Sequence, residues 1–215
     1  FATDRAGGVR IDAGVREGDA VTPHYDPMIA KLIVWGANRE QALARLDAAL
    51  AGTHIVGLHT NAAFLRRVVA SRAFSGADLD TALIERERDA LFDATPLPVE
   101  CIAAGVVAHK LAAERAAETA DPWSRRDGWR MHGGARRHFD LQLGDAHHAV
   151  RLERRHDGAM TLGVGAACWP FEARTRGDAG HDVVVGEHRW ALAVHAVGES
   201  YGVFGAAGSA VVREF

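Results

Sequence analysis

The stretch from Val99 to Thr119 constrains this chain most. Ile102, Val106, Val107, Leu111 and Ala112 recur at helical spacing, with unusually little polar surface before Lys110. A helix that is apolar most of the way round has to be surrounded, not laid on a surface. Short apolar alternations follow, separated by Gly, Asp and His, near 128–132, 137–143, 147–154, 159–165, 168–174, 182–186, 189–195, 200–204 and 209–213. Eight or so short strands at even spacing read as an antiparallel sandwich or barrel. Together these features predict a sheet wrapped around a helix.

The composition changes near residue 93, and Asp93-Ala94-Thr95-Pro96-Leu97-Pro98, which holds two of the six prolines, reads as a linker. Residues 1–92 and 99–215 are then separate domains around a 93–98 linker, and the whole is of α+β class. In the first part, Gly8 to Val21 reads as two short strands around a Gly14 turn. Met28 to Trp35 reads as a central strand, apolar on both faces except at Lys31. Asn38 caps a helix with Gln41 at the capping-box position, and Gly52 stops it. Thr60 or Asn61 caps a second helix with Phe64, Leu65, Val68 and Val69 inward, and Asp80 caps a third that runs to about Phe92.

The chain has 215 residues, 48% of them hydrophobic and 25% charged, which is enough to bury a sizeable core. No apolar run reaches the roughly 18–20 residues that span a bilayer, and Phe1-Ala2-Thr3-Asp4-Arg5 lacks the apolar centre of a signal peptide. Membrane insertion and secretion are not expected. A net charge of −3 and the lack of interleaved aromatic and basic residues argue against a nucleic-acid binder. Cys101 and Cys168 belong to no Cys-x-x-Cys unit and lie in apolar settings, so both read as buried free thiols of a reducing compartment. The expected setting is the cytoplasm of a bacterium.

Self-contained chemistry is hard to find. Neither lysine stands in a P-loop, and no Gly-x-Gly-x-x-Gly opens a helix after a strand. His181, His188 and His195 recur every seven residues, but an odd spacing alternates faces on a strand, and Gly186-Glu187 marks a turn between the first two. Exposed or hydrogen-bonded strand histidines fit that pattern better than a metal site. Asp26, beside Tyr25 in a turn leading to a strand, is a candidate for chemistry; its carboxylate could equally fix the turn or pair with an arginine.

Two sets of residues carry a family resemblance. Gly7-Gly8-Val9-Arg10-Ile11-Asp12, then Gly18 through Ile33 with the run Tyr25-Asp26-Pro27-Met28-Ile29-Ala30-Lys31-Leu32, resembles the C-terminal subdomain of biotin carboxylase. Asn38-Arg39-Glu40, Gly57 and Thr60-Asn61-Ala62-Ala63-Phe64-Leu65 follow in that family's order, so the likeness covers roughly residues 1–92. Residues 97–215, with Asp121-Pro122-Trp123-Ser124 and Asp127-Gly128-Trp129-Arg130, resemble the middle region of the biotin-containing alpha subunit of acyl-CoA carboxylases, nearest the 3-methylcrotonyl-CoA type of leucine degradation.

The resemblance implies a biotin carboxylase subdomain with an antiparallel sheet and packed helices. A long helix wrapped by an antiparallel barrel of about eight strands then docks the carboxyltransferase beta subunit. It implies a parent ligase that uses ATP, magnesium and covalently attached biotin. No catalytic residue, metal site or biotinyl lysine is expected in these 215 residues: Lys31 lies in Ala-Lys-Leu and Lys110 in His-Lys-Leu, not in a Met-Lys-Met turn. The chain is therefore expected to be an internal fragment that binds no cofactor alone; a stand-alone assembly or binding module is the alternative. By the same resemblance, Gly7, Gly8 and Arg10 belong to the biotin carboxylase dimer contact, and Tyr25 and Asp26 to a loop near the active site and that contact. Asp80 and Thr81 line the adenine pocket. Trp123 and Trp129 lie where the beta subunit docks, with ordinary core packing as the competing role.

Overall fold

The computed structural model describes residues 8–22, 24, 28–93, 95–126, 128, 130, 131 and 133–215. It contains two compact units, Phe1–Thr53 with His59–Ala94, and His54–Leu58 with Thr95–Phe215.

In the first unit β1 (Val9–Ala13) pairs antiparallel with β2 (Ala30–Val34), in a register running from Val9↔Val34 to Ala13↔Ala30. The second strand expected before Val21 does not form. The Asp19 carboxylate accepts from the Arg16 amide (2.8 Å) and the Asp19 amide donates to the Arg16 carbonyl (3.1 Å), so local bonds close a turn there. Nor is β2 central: among the described strands its one partner is β1, and Met28 and Trp35 flank it 64% and 67% exposed. A two-stranded ribbon cannot cover both faces of a strand.

Helix α1 (Arg39–Ala51) starts at Asn38, whose side chain accepts from the Gln41 amide at 2.8 Å, while the Gln41 side chain accepts from the Ala37 amide at 2.7 Å. Gly52 ends it. Helix α2 (Ala62–Ala70) is followed by a short α3 (Arg72–Ser75), because Ser71 leaves helical geometry (ψ 147°) and its hydroxyl caps the next turn through the Phe74 amide. The expected helix ending at Phe92 is broken into α4 (Leu83–Arg86) and α5 (Arg88–Phe92). The break gathers Leu83 and Leu91 with Ala73 into one buried cluster, packed by Phe64 and Val68, and leaves Ile84 and Phe92 exposed.

The second unit is built around α6 (Val99–Ala116). Eight strands enclose it: β3 (Ala135–Leu143), β4 (Ala146–Arg154), β5 (Met160–Val164), β6 (Ala167–Arg176), β7 (Gly180–Val185), β8 (His188–Val197), β9 (Ser200–Gly205) and β10 (Gly208–Glu214). Each pairs antiparallel with its sequence neighbours, and β10 closes against β3, giving an up-and-down barrel without free edges. Cys101, Ile102, Val106 and Val107 of the helix meet Leu162, Phe171, Val183, Val194 and Val203 of the wall in one continuous core. Close approach decides Gly105: a Cβ there would stand 3.1–3.3 Å from Leu192, Val203 and Val194. The strand expected at 128–132 is absent from the described residues of that stretch, and Gly128 sits at φ +70°, a left-handed conformation no strand contains.

Cys101 is buried and its thiol is pushed up to about 12 by burial first and by Glu100 second. Cys168 is exposed, against expectation. Trp169 and Phe171 take the inward positions of β6, so strand alternation turns Cys168 outward.

Candidate functional site

The chain emerging from α6 forms a hydrogen-bonded turn. Asp121 caps a 3₁₀ turn over Pro122–Ser124, its carboxylate accepting from the Trp123 amide at 3.0 Å. The Ser124 hydroxyl accepts from the Thr119 amide (2.9 Å) and donates to the Asp121 carbonyl (2.7 Å), and Glu118 accepts from the Arg126 amide (2.9 Å). Trp123 is held out on this turn, 94% exposed. Beside it lies an open cavity of about 640 Å³ lined by Glu114, Pro122, Trp123, Arg125, Arg126, Gly128 and Arg137. Arg137 forks onto Glu114 (2.6 and 2.7 Å) and lies over the Phe139 ring.

Polar groups also fasten the helix inside the barrel. The Lys110 ammonium donates to both Glu214 oxygens (2.5 and 2.6 Å), and the Tyr201 hydroxyl donates to the same carboxylate at 3.2 Å. Burial, then the charge and acceptance of Glu214, raises the Tyr201 pKa. His181, fully buried on β7, meets His109 of α6 ring nitrogen to ring nitrogen at 3.3 Å. Burial and then His109 lower His181 to about 4; burial and then His195 lower His109. His195, on β8, instead meets His54 at 2.9 Å, and His54 stacks on Phe204. Histidines on the neighbouring strands β7 and β8 thus serve two separate pairs, and among the described residues no group of three or more His, Cys, Asp or Glu could hold a metal ion.

The other candidates from sequence are scattered. Gly7, Tyr25, Asp26 and Trp129 lie outside the described residues. Gly8 adopts φ +76°, where a Cβ would strike the Arg45 guanidinium at 2.7 Å. Arg10 is exposed on β1 and pairs with Asp12 of its own strand at 2.9 Å. Asp80 and Thr81 stand in an exposed turn; the Asp80 carboxylate accepts from the Ala82 amide (2.9 Å) and from Arg86 (2.6 Å). Among the described residues no hydrogen bond or ion pair joins Arg10 to Asp80 or Thr81. Sequence reasoning missed the Lys110–Glu214–Tyr201 network, which joins positions 104 residues apart, and the Asp121–Ser124 scaffold, whose Asp-Pro start is a visible cap signal.

Fold and loop together define a helix-filled closed barrel that presents an exposed tryptophan where its helix exits, preceded by a small mixed unit. Residues 96–215 match the family model described as "Methylcrotonyl-CoA carboxylase, alpha-subunit, BT domain", and residues 1–86 match "Biotin carboxylase C-terminal domain". The chain belongs to the methylcrotonyl-CoA carboxylase alpha-subunit family. Among its relatives, the mitochondrial methylcrotonoyl-CoA carboxylase subunit alpha of Dictyostelium discoideum is 33% identical over 150 residues, 67% of this chain and 22% of the relative. That of Rattus norvegicus is 32% identical over 167 residues, 72% of this chain and 23% of the relative. The mitochondrial propionyl-CoA carboxylase alpha chain of Sus scrofa is 42% identical over 77 residues, 36% of this chain and 10% of the relative. The chain thus spans less than a quarter of the length of these relatives. Their mitochondrial location overturns the expectation of a bacterial cytoplasm. Free thiols separate oxidising from reducing surroundings and carry no information about the organelle.

Proposed function

We propose that this chain is part of the biotin-carrying alpha subunit of an ATP-dependent acyl-CoA carboxylase of the 3-methylcrotonyl-CoA type, and that its own work is assembly. The first unit contributes to the biotin carboxylase dimer contact through Gly7, Gly8 and Arg10, to a loop near the active site and that contact through Tyr25 and Asp26, and to the adenine pocket through Asp80 and Thr81. The barrel docks the carboxyltransferase beta subunit through Trp123 and Trp129. The observation that carries this reading is the agreement of two family models, in order along one chain, with a barrel that holds Trp123 94% exposed on a pre-built turn. An exposed, rigidly held tryptophan is a good interface anchor.

ATP, magnesium and biotin belong, in this reading, to the rest of the parent polypeptide. The two lysines present fit a biotin anchor poorly: the Lys110 ammonium is engaged by Glu214, and Lys31 sits within a paired strand. The 215 residues alone are then without carboxylating activity. Co-expression with a carboxyltransferase beta subunit tests the proposal. The two proteins are expected to co-purify, with Trp123→Ala weakening the complex about 30-fold or more, as for an interface hot spot. Bicarbonate-dependent ATP hydrolysis by the chain alone is expected at background. Turnover above it, or undiminished binding by Trp123→Ala, counts against this reading.

A further inference from the structure

We infer that the cavity beside Trp123 receives a carboxylate-bearing segment of the carboxyltransferase subunit, an Asp or Glu flanked by an apolar side chain; the inference rests on the docking role proposed above. The charges of the cavity wall carry it. Arg137 is neutralised by its fork onto Glu114, at 2.6 and 2.7 Å. Arg125 and Arg126 line the same cavity, and among the described residues neither has an ion-pair partner. Among the described residues the wall therefore presents two guanidinium groups without an ion-pair partner beside the apolar surface of Pro122 and Trp123. Guanidinium forks match carboxylates in a planar, two-bond geometry, and arginine and tryptophan are the residues over-represented at interface hot spots.

Residues 118–126 are also tied together by hydrogen bonds before any partner arrives. Asp121 and Ser124 close the turn, and Glu118 holds the Arg126 amide at 2.9 Å, so the backbone that carries both arginines loses little freedom on binding. A nucleic-acid phosphate is a poorer match than a carboxylate at this site. The net charge of −3 gives the molecule no long-range attraction for a polyanion.

The test titrates the full 215-residue chain against purified carboxyltransferase beta subunit by interferometry, with a single-stranded RNA oligonucleotide as a second probe. Arg125→Glu with Arg126→Glu is expected to weaken beta-subunit binding at least about tenfold. The double Arg→Lys variant loses less, because charge survives without the fork. The gap between wild type and the charge-reversed form narrows as salt rises from about 0.05 to about 0.5 M. Both arginines project from a loop outside the barrel core, so melting temperature should not move. Wild-type binding that depends on Trp123 but ignores charge reversal overturns this inference and leaves the docking role intact. RNA binding lost on charge reversal, with beta-subunit binding unchanged, overturns it as well. Absence of wild-type binding to the beta subunit overturns the docking role itself.

Discussion

His181 shows what a single side chain costs and specifies in this barrel. It shares the inward face of β7 with Val183 and Val185, has no exposed surface, and one of its ring nitrogens is without a hydrogen-bond partner. Burial holds it neutral down to about pH 4, whereas in the unfolded chain it takes up a proton near 6.5. The folded pKa lies below the unfolded one, so the unfolded state binds more protons throughout that interval. Stability is therefore full above about pH 6.5 and is lost as the pH falls towards 4, by up to about 3 kcal/mol from this residue. His109, also lowered, acts in the same direction. Urea midpoints measured from pH 7 to 4 should fall, and His181→Phe should flatten that slope while leaving the carboxylate titration below it. A variant slope as steep as wild type would show that His181 is not the source. The inward position was available from the alternation with Val183 and Val185; the facing His109 was not, because it lies 72 positions away on another element.

At the level of elements, the barrel has one thin seam. β3 and β4 share nine registered pairs, whereas β10 and β3 share two, Arg213↔Gln142 and Glu214↔Leu141. Glu214 sits on that seam and is tied across the interior to Lys110 of α6, so a single carboxylate joins the closing strand to the central helix. The pair is half-buried, at 25% and 18% side-chain exposure, and removing one partner leaves the other charge in a poorly solvated place. Glu214→Gln is expected to cost about 1–3 kcal/mol, less than the loss of a fully buried pair. Hydrogen exchange along β10 should quicken more than along β4. Equal quickening in both strands would refute the idea that this contact guards the seam. The helix and its eight strands were legible because apolar spacing and glycine turns such as Gly186 (φ +60°) are local signals. The closure of β10 on β3, the break between α4 and α5, and the single partner of β2 depend on what lies far along the chain, and no window of sequence holds that information. The site was legible only in part: Trp123 could be named, but which arginines of the cavity lack an ion-pair partner among the described residues emerges only once Glu114 is seen to occupy Arg137.

Over the whole molecule, the two units differ in how much apolar surface they enclose. In the first, the buried apolar side chains among the described residues are Leu50, Val69, Ala73, Leu83 and Leu91, and its only described sheet is the β1–β2 ribbon with Met28 and Trp35 largely exposed beside it. In the second, one continuous cluster runs from Leu97 through α6 to Val212, inside a barrel whose every strand is paired on both sides. Burial contributes roughly 25 cal/mol per Å² of apolar area, so local opening should follow this difference. Amide exchange at neutral pH should be slowest in α6 and in β4 through β8, whose bonds open only when the barrel does. It should be faster in α3, α4 and α5, which are four or five residues long, and fastest in β1 and β2. Adding urea should collapse protection in the first unit at a lower concentration than in the barrel. If α1 and α2 instead kept protons as long as α6, the barrel core would not be the dominant source of stability, and the first unit would have to draw support that its own buried side chains do not supply.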